Sequence, residues 1–346
     1  MSKFTAVGGD VFAGAFSYGI RMAGFDVPIH LENINYGVDT AQLNFPHTEF
    51  RVGAENWHPE KIKGVDLLFS NPPCAPWSNL SAGRACTWDK DPRLSCIDNL
   101  MDAALKMKVK TYIWESVTVA WGKGRSFVDE RAKMFIAKGY HVTILIQNNL
   151  YLGAPQNRRR MLFIAHKHPL VWPKLVTKHP TIGEVLKGTK APEKEKIWLK
   201  PGDKLLWEKA NQPSNRGKWS AVYRDMTPTQ QKKIHCKPSF LSNRLNRDEI
   251  SNVFFPGHST HPDEPRRLSY SESLALCGLP QTWKVANTSF GYVAGILVRT
   301  VLAPVGTWIG LAVKDGLAMP PLKGKPKYTL VTITSPEIKT EELTHA

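Results

Sequence analysis

Short apolar runs alternate with segments of helical period through the first half of the chain, and that alternation leaves few folds open. Phe4 to Phe12, Val27 to Leu31, Leu67 to Phe69, Thr111 to Trp114, Val142 to Ile146 and Met161 to Ala165 read as strands. Tyr18 to Gly24, Leu94 to Met107 and Ser126 to Lys138 read as helices, the first and last of them stopped by glycine. Parallel strands need a crossover, and crossover helices cover both faces of the sheet, so the pattern predicts an α/β fold with a mostly parallel, doubly wound sheet. Functional residues in such a sheet gather outside the carboxyl ends of the strands.

The strand ends carry chemistry. Leu67-Leu68-Phe69 runs into Ser70-Asn71-Pro72-Pro73-Cys74 and then Ala75-Pro76-Trp77-Ser78. Two prolines fix their own φ and hold the residue before them extended, so the turn presenting Cys74 is stiff. A buried core thiol is the ordinary fate of a free cysteine. A thiol on a stiff turn after a strand also suits a nucleophile, which needs a lowered pKa or a positive neighbour. The first strand ends in Asp10-Val11-Phe12-Ala13-Gly14-Ala15, a small-residue turn before a helix. Glu32 follows at the end of the next strand, about twenty residues on, the spacing at which an acid accepts hydrogen bonds from ribose hydroxyls. A third strand ends in Glu115-Ser116-Val117, and Arg158-Arg159-Arg160 precede another. Those arginines are costly to bury unpaired, so they form either a surface turn or a site that uses forked, permanently charged donors. The polar segment Asn79 to Arg93 is long enough for a lid.

Composition narrows the compartment and the partner. The five cysteines, Cys74, Cys86, Cys96, Cys236 and Cys277, form no CxxC pair, which argues against a disulfide framework and a structural zinc site and for a reducing environment. No basic stretch followed by an apolar core opens the chain, so no secretory signal is expected. The apolar run Tyr292 to Val313 is interrupted by Arg299 and Pro304 and reads as a buried helix, not a membrane span. The formal net charge is +16, and Tyr151 to Thr260 alone holds 21 Lys+Arg against 8 Asp+Glu. That section is either a solvated lysine-rich face or a polyanion surface. Trp198, Trp207, Trp219 and Tyr223 are interleaved with its charges and favour nucleic acid, against whose sugars or bases they can pack. From Val171 to about Pro256 the periodicity dissolves into an irregular lobe. Ser269 and Glu272 then form the pattern of a capping box, and residues 322–346 read as a loosely held tail.

Taken in this order, the parts resemble the cytosine-5 DNA methyltransferases from about Phe4 to Val313, apart from the middle lobe. The carriers are Asp10 to Gly14, Glu32, Pro72-Pro73-Cys74, Glu115-Ser116-Val117, the series Gln156, Arg158, Arg160, and Arg267-Leu268-Ser269 through Glu272 to Gly278-Leu279-Pro280. The resemblance implies a Rossmann-like S-adenosylmethionine-dependent methyltransferase fold with a smaller target-recognition lobe. It implies a catalytic and cofactor-binding domain over 1–168, a target-recognition domain over 169–262, and a segment 263–321 returning to the catalytic domain. Cys74 is then the nucleophile on carbon 6 of a flipped cytosine, Glu115 stabilises the adduct, Arg160 contacts the base oxygen and Arg158 helps hold the thiolate. Phe12, Gly14, Ala15, Phe16, Glu32, Asn33, Glu55, Pro72 and Tyr292 would bind cofactor, and Ser78, Arg84 and Gln156 would bind nucleic acid. The implied partner is double-stranded DNA, without metal or membrane, for a monomer in the cytoplasm of a bacterial or phage-infected cell.

The departures from the family pattern cluster. Gly14-Ala15 continues into Phe16-Ser17 where the family has two glycines, Glu-Asn-Val has become Glu115-Ser116-Val117, Ala75 replaces a glutamine, and Phe-Gly-Asn is Phe290-Gly291-Tyr292. Three readings follow: a divergent, phage-type methyltransferase; the same scaffold taking carboxy-S-adenosylmethionine and making 5-carboxymethylcytosine, with Tyr292 donating to the added carboxylate; or an inactive DNA-binding module. Asn71-Pro72-Pro73 also resembles amino-methylating enzymes, but Cys74 stands where those carry an aromatic. A tRNA cytosine methyltransferase would share the chemistry, and the long basic lobe favours DNA over it.

Overall fold

The structure is a computed structural model that describes residues 4–78, 87–211, 217–235, 238, 242–252, 258–287 and 289–343. The chain divides into two compact units. One comprises Met1–Ala154, Arg158–Thr177 and Thr300–Ala346, and the other Pro155–Asn157 and Lys178–Arg299. Of the segment 263–321, expected to return to the catalytic domain, residues 300–321 cluster with the first unit and residues 263–299 with the second. The Ser271 amide and hydroxyl both donate to the Glu195 carboxylate, at 3.1 Å, and the Arg267 amide donates to the Ile197 carbonyl, which ties residues 263–299 to the rest of the second unit.

The first unit opens with β1 (Thr5–Gly9), α1 (Ala15–Met22), β2 (Asp26–Glu32), α2 (Val38–Asn44), β3 (Glu49–Val52) and β4 (Leu67–Ser70). It continues with α3 (Leu94–Met107), β5 (Thr111–Ser116), α4 (Val119–Gly122), α5 (Arg125–Ala137), β6 (His141–Asn148) and β7 (Arg159–His166). The second unit holds the helices α6 (Ile182–Lys187), α7 (Pro201–Lys209), α8 (Trp219–Arg224), α9 (Pro228–Gln231), α10 (Tyr270–Leu276) and α11 (Phe290–Arg299), with a two-stranded pair of β8 (Asn243–Arg244) and β9 (Ser259–Thr260). The chain returns to the first unit through α12 (Ala303–Leu317), β10 (Tyr328–Ser335) and β11 (Glu337–Glu342).

The nine-stranded sheet of the first unit runs β11-β10-β6-β7-β5-β4-β1-β2-β3. β1, β2, β3, β4 and β5 are mutually parallel, whereas β7 lies antiparallel between β5 and β6. The order reverses at β1, between β2 and β4, which is the topological switch point where a doubly wound sheet opens a crevice for ligand. The mostly parallel, doubly wound architecture read from the sequence is the one observed. The expected loose tail is not, because β10 pairs in parallel with β6 and β11 pairs back on β10. Tyr328-Thr-Leu-Val-Thr-Ile-Thr is β-branched and alternating, and that pattern outweighs its polar composition.

The apolar stretch Gly291–Leu317 is long and apolar enough to cross a membrane, but most of it is buried within the protein. It is two helices rather than the one expected, with Pro304 in the first turn of α12, where its missing N–H costs nothing. α12 lies backbone to backbone on α1. A Cβ on Gly19 would overlap the Ala303 carbonyl oxygen and come within 2.8 Å of the Gly306 Cα. Because these neighbours are backbone, they cannot swing aside. Gly19→Ala is therefore expected to destabilise the protein by about 3 kcal/mol, read as a fall in the midpoint of urea unfolding.

The irregular lobe of the sequence contains a small core of its own. Trp207 and Trp219 pack there with Leu206, Ala210, Val222 and Met226, and the Trp207 Nε1 donates to the His261 carbonyl at 2.8 Å. Nearby, Arg266 forks onto Glu272, with Nη1 to Oε2 and Nη2 to Oε1 both at 2.8 Å, and both side chains are buried. Ser269 and Glu272 complete the capping box read from the sequence. Burial pushes the Glu272 carboxyl up, but Arg266 and the Ser269 amide outweigh it and hold the pKa below the usual range.

Candidate active site

The nucleophile turn is built where β4 ends. The Ser70 Oγ donates to the Ile113 carbonyl on β5 at 2.9 Å, and the Asn71 amide donates to the Gly9 carbonyl on β1 at 3.0 Å. Past the prolines, the amides of Trp77 and Ser78 both donate to the Cys74 carbonyl, at 3.2 and 3.1 Å, closing a tight turn that leaves Cys74 half-buried. The Trp77 ring is 2% exposed and lies 5.6 Å from both Trp114 and Phe127. Trp114 immediately precedes Glu115, so one aromatic cluster supports the turn and the acid together. No role for Trp77 is read from the sequence; its packing shows one, as part of the support for the turn.

Glu115 is almost wholly buried at the end of β5. The Asn71 Nδ2 donates to its Oε2 at 2.7 Å, and the Arg160 Nε donates to its Oε1 at 3.1 Å. The reversed direction of β7 makes the second bond possible, because its first residues lie beside the last residues of β5, with Ser116 opposite Met161. A parallel strand would deliver them to the opposite edge. Arg158 and Arg160 share one side of the chain by the two-residue strand period. Arg158 is 4% exposed; its amide donates to the Asn148 Oδ1 at 3.2 Å and its carbonyl accepts from the Asn149 amide at 3.0 Å.

Burial raises the pKa of Glu115 against the opposing pull of Arg160 and Arg158. Burial, and then the Glu115 charge, push the Cys74 thiol up, with Arg160 and Arg158 opposing. Around the Cys74 sulfur, burial and Glu115 thus disfavour the thiolate and the two arginines favour it. The acid controls that balance: without the negative charge on Glu115, one of the two forces against the thiolate disappears.

A second cluster forms at the ends of β1 and β2. The Val11 amide donates to the Glu32 Oε1 at 3.1 Å, while Glu32 Oε2 is buried and has no hydrogen-bond partner in the protein. Burial, then the neighbouring Asp10, raise Glu32 well above the usual carboxyl range against the amides of Val11 and Phe12, and burial lifts Asp10 to about 6. Gly14 caps α1 at φ 87°, and a side chain there would strike the Phe45 ring. Phe12, at φ 51° and buried, meets Tyr36 edge-on at 6.4 Å. A leftover buried acceptor beside a glycine turn at the switch point suits a nucleoside, whose ribose hydroxyls are donors.

A raised folded-state pKa means that the folded protein keeps a proton which the unfolded chain has released. Stability from Glu32 is thus complete below its ordinary pKa of 4.5 and is lost as pH climbs through the raised value. Glu32→Gln, which is never charged, is expected to melt a few degrees above wild type at pH 8 and to bind S-adenosylhomocysteine more weakly. Melting curves with and without ligand check both halves.

The remaining expected contacts fall in different settings. Ala15 and Pro72 are buried. Phe16 is 1% exposed and meets Phe69 edge-on at 4.9 Å, so its ring fills the core between α1 and β4. Glu55 is exposed on the turn after β3. Asn33 is committed to protein partners, as described below. Tyr292 is half-buried in the first turn of α11, in the second unit. Gln156, expected on nucleic acid, is 2% exposed and its Nε2 donates to the Leu276 carbonyl at 2.8 Å, which makes it a tie inside the second unit. Ser78 is half-buried, and Arg84 lies outside the described residues. Among the described residues no group of three His, Cys, Asp or Glu could hold a metal ion.

This arrangement is a Rossmann-like methyltransferase fold with a cysteine and an acid at adjacent strand ends. A family model for C-5 cytosine-specific DNA methylase matches residues 9–293, and the chain belongs to that family. It is 31% identical over 169 residues to Type II methyltransferase M.DdeI of Desulfomicrobium norvegicum, covering 46% of this chain and 40% of that protein. With Type II methyltransferase M.HindV of Haemophilus influenzae it shares 29% over 164 residues, covering 45% and 51%, so the match spans about half the length of these relatives. With M.FnuDI of Fusobacterium nucleatum it shares 21% over 299 residues, covering 80% and 84%. Among solved structures, Entamoeba histolytica methyltransferase EhMeth superposes with a TM-score of 0.65 at 14% identity, over 92% of this chain and 99% of that one. A Spodoptera frugiperda DNMT2 mutant gives 0.58 at 14%, over 90% and 99%. At these identities the structural likeness is one of fold.

Proposed function

We propose that the protein is a DNA cytosine-5 methyltransferase. The observation that carries this reading is Glu115, buried and held between Asn71 and Arg160 beside the Cys74 turn. S-adenosylmethionine, when bound, supplies an electrophilic methyl group, and Glu32 and the Gly14 turn are the residues suited to hold it. Carbon 5 of cytosine is a weak nucleophile. The Cys74 thiol loses its proton to solvent, the sulfur bonds to carbon 6, and the electron pair of the carbon 5–carbon 6 double bond moves onto carbon 5. Glu115 holds a proton at ring nitrogen 3 as charge gathers there, which also removes its repulsion of the Cys74 thiolate. Arg160 faces the base oxygen and Arg158 supports the thiolate. After transfer, the proton on carbon 5 leaves, the double bond re-forms and Cys74 is expelled. A stacked base is out of reach, so the cytosine is flipped out of the duplex.

Mass spectrometry of nucleosides from cells expressing wild type or Cys74→Ala tests the proposal. Cytosine heavier by one methyl group, only with Cys74 present, is the expected result. A carboxymethyl increment would establish the carboxy-S-adenosylmethionine reading instead, and unmodified cytosine in both would leave a DNA-binding module.

The basic second unit supports a DNA-reading role. Of the four aromatics interleaved with its charges, Trp207 and Trp219 are consumed by the core, while Trp198 is 52% exposed. Its backbone is pinned, since the Leu199 amide donates to Pro265 and the Arg267 amide to Ile197, both at 2.9 Å. Trp198→Ala is expected to weaken duplex binding about tenfold, the value of one lost aromatic contact, with melting unchanged. Fluorescence anisotropy on a labelled duplex reads the effect.

A further inference from the structure

We propose that Asn33 and Asn99 are positioning residues that set Glu32 in place by fastening the end of β2 to α3; the inference rests on the cofactor-site reading above. Sequence reasoning put Asn33 on the cofactor, but its polar atoms are already engaged. Its backbone amide donates to the Asp10 Oδ1 at 2.6 Å, and its Nδ2 donates both to the Asp10 Oδ2 at 2.7 Å and to the Cys96 carbonyl at 3.3 Å. Its Oδ1 accepts from the Asn99 Nδ2 at 3.0 Å. An amide with both N–H groups committed has no donor left for a ligand.

What the amide does is join three elements. β1 and β2 exchange carboxylates across their ends: Asp10 receives the amides of Asn33, and Glu32 receives the amide of Val11. Asp10 stands at φ 48°, a left-handed conformation that a non-glycine residue keeps only when its surroundings enforce it. Asn33 extends the clasp to α3 through Cys96 and Asn99, which are three residues apart and so lie on one face of that helix. The link fixes the direction in which Glu32 leaves β2, and with it the place of the unpartnered Oε2 oxygen.

The experiment measures equilibrium binding of S-adenosylhomocysteine by calorimetry to full-length Asn99→Ala, Asn99→Gln, Asn33→Ala and Glu32→Ala, with melting curves of each free protein. Loss of one such hydrogen bond corresponds to about a tenfold weaker affinity. Asn99→Ala is expected to show that loss at nearly unchanged melting temperature, and Asn99→Gln, which restores a donor on the same helix face, to recover most of it. Unchanged affinity in Asn99→Ala overturns the inference, as does equal weakening in Asn99→Gln with a parallel fall in melting temperature, which marks a purely structural contact. If Asn33→Ala does not fold, the Asn99 pair decides. If wild type binds no ligand, or Glu32→Ala binds as well as wild type, the cofactor-site reading itself fails, and that result is distinct from failure of the latch.

Discussion

Cys74→Ala is expected to abolish the proposed methyl transfer, with a fall of about 10⁴-fold or more in the rate of label incorporation into DNA from tritiated S-adenosylmethionine. Losses of this size follow removal of a covalent nucleophile, because the remaining groups stabilise a reaction that no longer has its first bond. None of the other described cysteines is placed to substitute. Cys96 is half-buried on α3, where burial and Asp10 push its thiol up to about 11, and Cys277 is buried in the second unit. Because Cys74 is itself only half-buried, its truncation leaves little cavity, and duplex affinity and melting temperature are expected to stay near wild type.

Glu115→Gln separates the two effects of that acid. Its two oxygens receive two donors, the Asn71 Nδ2 and the Arg160 Nε, and glutamine has one oxygen to offer. One donor must then face an N–H group, a mismatch costing about 1–3 kcal/mol of stability. Transfer is expected to fall by about 10²–10⁴-fold, the usual contribution of a general acid or base. The thiol responds in the opposite direction. The Glu115 charge raises the Cys74 pKa, so its removal lowers that pKa, and iodoacetamide should label Cys74 faster in Glu115→Gln than in wild type at the same pH. Slower transfer together with slower labelling would contradict the electrostatic account of the pair.

Elements with strong local signals were legible. Leu94–Met107 has the bounds its hydrophobic period predicts, and the strands β4, β5, β6 and β7 extend their apolar runs by a few residues. α2 and β3 were missed, since Val38–Asn44 is short and polar and Glu49–Val52 is only partly buried, without clean alternation. At the site, the residue types came through motif order, but their partners did not. That Gln156 answers to Leu276, 120 positions away, is a fact of packing that a short motif does not contain. Asn71 read as part of a turn and turned out to hold the acid. Asn33, Trp207 and Trp219 carry the same lesson: a polar or aromatic side chain suited to a ligand is equally suited to its own protein, and only burial and partner geometry separate the two.

The C-terminal strands also bear on how the protein behaves in solution. β6 is an eight-residue strand rich in Val, Ile and Leu, and without β10 its outer row of N–H and C=O groups would be an open template for pairing with other chains. β10 covers that row, and the outermost strand becomes β11, Glu337-Ile-Lys-Thr-Glu-Glu, short, charged and exposed along its whole length. The last strands thus act as a selvedge, trading a sticky border for one that charge repulsion keeps soluble. A shortened chain ending before Tyr328 would keep every catalytic residue and lose its protection against aggregation.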